Sequence, residues 1–200
     1  MEILNTQKLQ ELYEKEPIYA KIIMVGGVNV GKSLFMKRIN IIKTGEEFNI
    51  ENFDENYICT FGSEYTSFLF KIKDKRYKVQ IWDVSGQDRL ENLVYYIARG
   101  AGAILLFYDS FNRDSFLKAK KLYANLYKSY PESIYALVRS KYDLSLKEVN
   151  NDIVSDEEAL EFANNNNIIF AHLSNFEKYE TGTNELLREI FSKYLESSQI

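Results

Sequence analysis

The sequence predicts a three-layer α/β fold: a mostly parallel six-stranded sheet with one antiparallel edge strand and helices on both faces. Three observations lead there. Short apolar runs alternate with helical patterns along the chain, as they do where crossover helices join parallel strands. Two of the runs, Ile18 to Val25 and Ala103 to Tyr108, are continuously apolar, as strands covered on both faces must be. Tyr65 to Lys73 and Tyr77 to Trp82 instead alternate with a period of two around Lys73-Asp74-Lys75-Arg76, the pattern of an antiparallel hairpin.

Taken in order, Leu4, Leu9, Leu12 and Tyr13 lie at helical spacing, so a short amphipathic helix is expected before Pro17. Residues 1–17 then read as an N-terminal extension. The Ile18 strand ends in glycines and a helix opens at Lys32. After the hairpin and the Ala103 strand, helical periodicity runs from Ser115 to Tyr130, followed by a strand at Ile134 to Val138. Ser155-Asp156-Glu157-Glu158 has the form of a capping box, in which Ser155 caps and Glu158 reaches back. The Asn164 to Asn167 run stops that helix. A strand from Ile168 to Leu173 and a helix from Asn184 to Glu196 complete one domain over residues 18–196, with a tail at 197–200.

Composition bounds the function. Of 200 residues, 46% are hydrophobic and 27% charged, the balance of a soluble globular chain. A net charge of −4 with dispersed lysines and arginines argues against a nucleic-acid partner. No stretch approaches the ~20 apolar residues of a membrane-spanning helix. Cys59 has no second cysteine to pair with, so a reducing, cytoplasmic setting is expected. Cys59 and His172 read as structural residues.

The chemistry-bearing motif is Gly26-Gly27-Val28-Asn29-Val30-Gly31-Lys32-Ser33, between a predicted strand and a predicted helix. Glycine at 26 and 31 lets the backbone curl so that its N–H groups face an anion. The helix adds its positive end. Lys32 supplies a full charge for β- and γ-phosphates, and Ser33 a hydroxyl for Mg²⁺, a cation that takes oxygen ligands. This is a P-loop, and with the alternating pattern it predicts a P-loop NTPase fold. A second element, Trp82-Asp83-Val84-Ser85-Gly86-Gln87, ends the following strand. Asp83 is suited to hold Mg²⁺ through water, Gly86 to approach a terminal phosphate, and Gln87 to orient a water.

From about Tyr19 to Leu195 the chain resembles the Ras-like small GTPases, and among them the Rab branch. The resemblance rests on the P-loop, Lys78-Val79-Gln80-Ile81-Trp82-Asp83, Arg99-Gly100-Ala101 and Phe107-Tyr108-Asp109, with Asp114-Ser115-Phe116 following. It implies GTP or GDP and Mg²⁺ as ligands. Phosphate-side contacts are expected from Gly26, Val28, Asn29, Val30, Gly31, Lys32, Ser33, Leu34 and Gly86, and metal ligation from Ser33, Thr60 and Asp83. It also implies that Thr60, in Tyr57-Ile58-Cys59-Thr60, closes the first switch over the metal and γ-phosphate. Phe53, seven residues earlier, matches the aromatic that packs on guanine, and Tyr57 joins the same site. Lys32, Thr60 and Gln87 are the expected catalytic residues for hydrolysis of GTP.

The sequence departs from the family at several points. Ser140-Lys141-Tyr142-Asp143 stands for Asn-Lys-x-Asp. Asp143 can still accept from guanine N1–H and its 2-amino group, a charge-assisted pair that adenine cannot reproduce. The Ser-Ala-Lys loop is reduced to Ser174-Asn175-Phe176, so weaker affinity or faster exchange is expected. Val28 occupies a place usually held by a small residue, and its stiff β-branched side chain predicts slow intrinsic turnover. Asn29 beside it tolerates unusual backbone angles. The interval from Ser33 to Thr60 is long, with the excess expected between Ile41 and Ile50 beside the first switch, as a tolerated surface loop or, alternatively, a loop that remodels partner recognition. Tyr65 replaces a phenylalanine and Ile97-Ala98 a tyrosine pair on the Rab effector surface.

The resemblance implies effectors, an exchange factor and an activating protein docking on the Thr60 and Gln87 switches of a monomer, in vesicle trafficking. Rab chains end in prenylated cysteines, whereas this sequence ends Glu-Ser-Ser-Gln-Ile. Peripheral endomembrane contact therefore stays open. A nucleotide-stabilised scaffold with negligible turnover is the alternative to a hydrolysing switch, and an ATPase or kinase a remote third.

Overall fold

The computed structural model describes residues 2–3, 17–44, 60, 62–72, 75–141, 154–173 and 181–197. Its strands are β1 (Glu2–Ile3), β2 (Ile18–Gly26), β3 (Ser63–Ile72), β4 (Lys75–Val84), β5 (Ala103–Asp109), β6 (Ile134–Ser140) and β7 (Ile169–His172). The helices are α1 (Lys32–Thr44), α2 (Glu91–Ala98, after a 3₁₀ turn at Asp88–Leu90), α3 (Arg113–Ser129), α4 (Asp156–Asn165) and α5 (Thr181–Ser197).

The six expected strands are present, in the order β3-β4-β2-β5-β6-β7. β2, β5, β6 and β7 pair in parallel with one another and β4 with β2, while β3 runs antiparallel to β4. A seventh, two-residue strand adds to the β3 edge: Glu2 faces Lys71 and Ile3 faces Phe70. Here the expected N-terminal helix needs correction at its start, where Glu2 and Ile3 are extended and paired; residues 4–16 lie outside the described set. Helix α1 continues to Thr44, so the first residues of the expected inserted loop are helical, and 45–50 lie outside the described residues.

The period-two geometry of the central strands sends alternate residues to two cores. Ile22 and Met24 join Phe35 and Met36 of α1 and Leu187, Ile190 and Phe191 of α5. Ile23 and Val25 join Val94 and Ile97 of α2, Phe116 and Leu122 of α3, and Ala159 of α4. All seven residues of β5 are buried, which explains its unbroken apolar run. Ser155 caps α4 by accepting from the Glu158 N–H at 3.2 Å. The other half of the expected capping box is absent, because the Glu158 carboxylate turns to Arg113 at the start of α3 (2.7 and 2.8 Å). This topology leaves the carboxyl ends of β2, β4 and β5 together on one rim, the place where an open α/β sheet binds ligands.

Candidate nucleotide site

The loop between β2 and α1 forms the base of the site. Gly26 adopts φ 147° and a β-carbon there would lie 2.3 Å from the Phe107 carbonyl oxygen, so only glycine fits against β5. Asn29 at φ 57° and Gly31 at φ 85° are both in the positive region, as the loop motif demands. The Val30 side chain is buried in the α1/α5 core, so this residue can reach a ligand only through its backbone. No acidic residue occupies the first turn of α1, which leaves its positive end for an anion. Lys32 is buried and curls back along the loop, donating to the carbonyl oxygens of Gly27 (2.6 Å) and Gly26 (3.3 Å). Leu34 is half-buried on the first turn of the helix.

Three oxygen-bearing residues from distant parts of the chain converge beside this loop. Ser33 Oγ lies 2.5 Å from Asp83 Oδ2 and 3.0 Å from Thr60 Oγ1, and Thr60 Oγ1 donates to Asp83 Oδ2 at 3.2 Å. Asp83 is fully buried at the end of β4, and its Oδ1 has no hydrogen-bond partner among the described residues. Burial pushes the Asp83 carboxyl above its ordinary range, against the opposing pull of the Ser33 hydroxyl, Lys32 and Thr60. A buried carboxylate with an unsatisfied oxygen, set between two hydroxyls, has the donor chemistry of a Mg²⁺ site. The residues present therefore fit that metal.

The segment after β4 lies on the loop. A β-carbon on Gly86 would fall 2.3 Å from the Gly27 oxygen and 2.6 Å from the Val28 nitrogen. Val28 itself is 48% exposed, beside the segment that carries Gln87. The Gln87 carboxamide oxygen accepts from Arg89 Nε at 2.7 Å, and the Gln87 N–H reaches Ser85 Oγ at 3.4 Å.

On the base-recognition side, Ser140 is buried and donates to the Tyr108 carbonyl at 2.7 Å, tying β6 to β5. Lys141 adopts φ 53°, with its Nζ 2.8 Å from Asp109 Oδ2 and its carbonyl accepting from Ser110 Oγ at 3.0 Å. Asp109 and Ser110 thus hold Lys141 in place. Asp109 enters the sequence analysis only as part of the resemblance and Ser110 not at all, since neither belongs to a nucleotide motif. Their place at the end of β5, where Asp109 is level with Ser140 and the Ser110 N–H donates to the Ser140 oxygen, is the signal for this role. Phe53, Tyr57, Asp143, Ser174, Asn175 and Phe176 lie outside the described residues. His172 sits 3.6 Å from Asp156, next to the buried Arg139 that also pairs with Asp156.

The family model described as "Ras family" matches residues 21–196, nearly the whole chain. The chain belongs to the Ras family. Among known proteins it is similar to Ras-related protein Rab5A of Oryza sativa subsp. japonica, 32% identical over 181 residues, covering 90% of this chain and 82% of that one. It is 31% identical over 155 residues to GTP-binding protein ypt1 of Schizosaccharomyces pombe, covering 77% and 70%. It is 33% identical over 179 residues to Ras-related protein Rab-2B of Dictyostelium discoideum, covering 86% and 82%. At about this identity it is a divergent, Rab-like member of the Ras family. No helix among its described residues is long and apolar enough to cross a membrane.

Proposed function

We propose that this Ras-family protein is a GTP/GDP switch that binds its nucleotide with Mg²⁺ and hydrolyses GTP slowly, in a Rab-like role in vesicle trafficking. One observation carries the reading: the oxygens of Ser33, Thr60 and Asp83, separated by up to 50 residues in sequence, meet within 3.2 Å of one another beside the P-loop. A loop that bound anions for structural reasons alone would have no need of the metal-type cluster or of Thr60.

In this mechanism the P-loop N–H groups and Lys32 bind the phosphates, with Lys32 exchanging its bonds to the Gly26 and Gly27 carbonyls for phosphate oxygens. Ser33, Thr60 and Asp83 would hold Mg²⁺, which supplies charge neutralisation on the phosphates. Gln87 orients the attacking water, so hydrolysis proceeds by positioning and charge stabilisation. Asp143, together with the Lys141 stem, selects guanine over adenine. Loss of the γ-phosphate releases Thr60 and the segment after Asp83, and effectors, an exchange factor and an activating protein read that change.

A second reading, a nucleotide-stabilised scaffold with negligible turnover, is favoured by one feature. The Gln87 carboxamide oxygen is engaged by Arg89 and must be freed before it can orient water. The nucleotide released on denaturing the purified protein, followed by Mg²⁺-dependent phosphate release over many turnovers, separates the two. Guanine nucleotide with continuing phosphate release supports the switch; guanine nucleotide without release supports the scaffold; adenine nucleotide, or none, overturns both.

Val28 supplies the reason for slowness. Its side chain is exposed and its backbone nitrogen lies beside Gly86, the residue before Gln87, so a stiff β-branched group at this place obstructs both Gln87 movement and an arginine entering from an activating protein. Val28→Gly is expected to raise single-turnover hydrolysis about tenfold, the equivalent of ~1.4 kcal/mol off the barrier. An unchanged rate in quenched-flow measurements would remove Val28 as the cause.

A further inference from the structure

One lysine outside every nucleotide motif touches the second switch directly. Lys118 projects from α3, and its Nζ donates to the Gly86 carbonyl oxygen at 2.8 Å and to Asp88 Oδ1 at 2.5 Å. Its stem passes beneath the P-loop: a β-carbon on Gly27 would lie 3.9 Å from Lys118 Cδ. One turn further along α3, Lys121 lies 3.9 Å from Glu91 of α2, and Tyr130 at the end of α3 donates to the Tyr95 carbonyl at 2.7 Å. Helix α3 therefore holds the segment from Gly86 to Tyr95 at several points, of which the Lys118 contact lies nearest the reaction.

The peptide plane explains why that contact matters. The Gly86 carbonyl and the Gln87 N–H belong to one rigid amide. Lys118 fixes its oxygen, and Ser85 Oγ receives its N–H at 3.4 Å. With both ends held, rotation of this amide is restricted, and so is the starting direction of the Gln87 side chain. The Asp88 contact adds a charged pair on the same nitrogen, and Lys118 lowers the Asp88 carboxyl below its usual range.

We propose that Lys118 is a positioning residue for GTP hydrolysis, acting through the Gly86–Gln87 amide. The inference rests on the hydrolysing-switch reading above. It makes α3, and not only the loop–nucleotide contacts, a determinant of where Gln87 stands.

The test compares Lys118→Met, which keeps the stem and removes the donor, with Asp88→Asn, which weakens the ion pair and leaves the Gly86 contact. Single-turnover GTP hydrolysis in Lys118→Met is expected to fall about tenfold, the scale of one lost charged hydrogen bond. Asp88→Asn should lose less than about threefold on the same scale. GDP affinity of both variants, measured with a fluorescent GDP analogue, should stay within about twofold, since neither residue belongs to the P-loop or to the Ser33–Thr60–Asp83 cluster and Lys118 Nζ is engaged by Gly86 and Asp88. Amide hydrogen exchange of residues 85–90 should speed up in Lys118→Met. Lys118 is a quarter exposed and belongs to neither core cluster, and Lys118→Gln, shorter and uncharged, serves as the second variant if Met lowers the folded fraction.

If the wild type hydrolyses GTP and both Lys118 variants match it in rate, the proposal is overturned, whatever their exchange. If the wild type releases no phosphate, the hydrolysing reading fails by itself. Faster exchange at 85–90 in Lys118→Met then still supports the clamp, and unchanged exchange overturns it.

Discussion

Gly86→Ala is expected to abolish the GTP-dependent change while leaving GDP binding within a few-fold of the wild type. The added methyl would sit 2.3 Å from the Gly27 oxygen and 2.6 Å from the Val28 nitrogen, both backbone atoms that cannot rotate away. The segment carrying Gln87 must retreat from the loop, and a displacement of about 1 Å at a reacting centre costs on the order of a hundredfold in rate. On the switch reading proposed above this approach belongs to the γ-phosphate side, so the loss should appear in single-turnover hydrolysis and in the difference in Trp82 fluorescence between the GDP and GTP-analogue states. Trp82 is the sole tryptophan and lies four residues before Gly86. A variant that hydrolysed at the wild-type rate would mean that Gly86 does not set this approach.

Asp83→Asn is expected to weaken Mg²⁺-dependent nucleotide retention by roughly 10- to 100-fold, the range for residues that support a metal from behind its direct ligands. The carboxylate accepts from two hydroxyls through Oδ2 while Oδ1 has no partner among the described residues. An amide keeps the shape but loses the charge, and its NH₂ group would face hydroxyl oxygens or the metal. GDP dissociation measured with Mg²⁺ and with excess EDTA separates the effects. The wild type should release GDP much faster in EDTA, and the variant should show little difference between the two conditions. Equal Mg²⁺ sensitivity in both proteins would remove Asp83 from the metal site.

The phosphate side was legible in the sequence because its chemistry is local. Gly26, Asn29 and Gly31 take unusual backbone angles within one loop, and residue type reports such angles directly. The strands were legible for the same reason: their apolar runs match the two cores they feed. What was missed is non-local. Lys118 belongs to a lysine-rich helix segment in which nothing distinguishes it from Lys120 or Lys121, and only the packing of α3 under the loop singles it out. Asp109 and Ser110 likewise acquire a role through Lys141, about 30 residues away, by a parallel register that composition does not state. Glu158 satisfied the capping-box pattern, yet a bidentate arginine 45 residues distant competes better than a single backbone N–H. Local patterns propose a partner, and tertiary neighbours can outbid it.

The β3–β4 hairpin bears on how the two switches move. Ser63 pairs with Val84 at its open end, and one step beyond, the Ser85 N–H donates to the Gly62 oxygen at 2.9 Å. Thr60 and Gly86 thus leave the same last rung of a ten-rung ladder, on opposite rails. Fraying that rung loosens both rails at once, so the two segments should behave as one cooperative unit with a shared opening free energy. The Ser85 amide then reports on both, and its protection in the GDP and GTP-analogue states would show whether the hairpin end opens as a hinge or stays closed while the loops beyond it move.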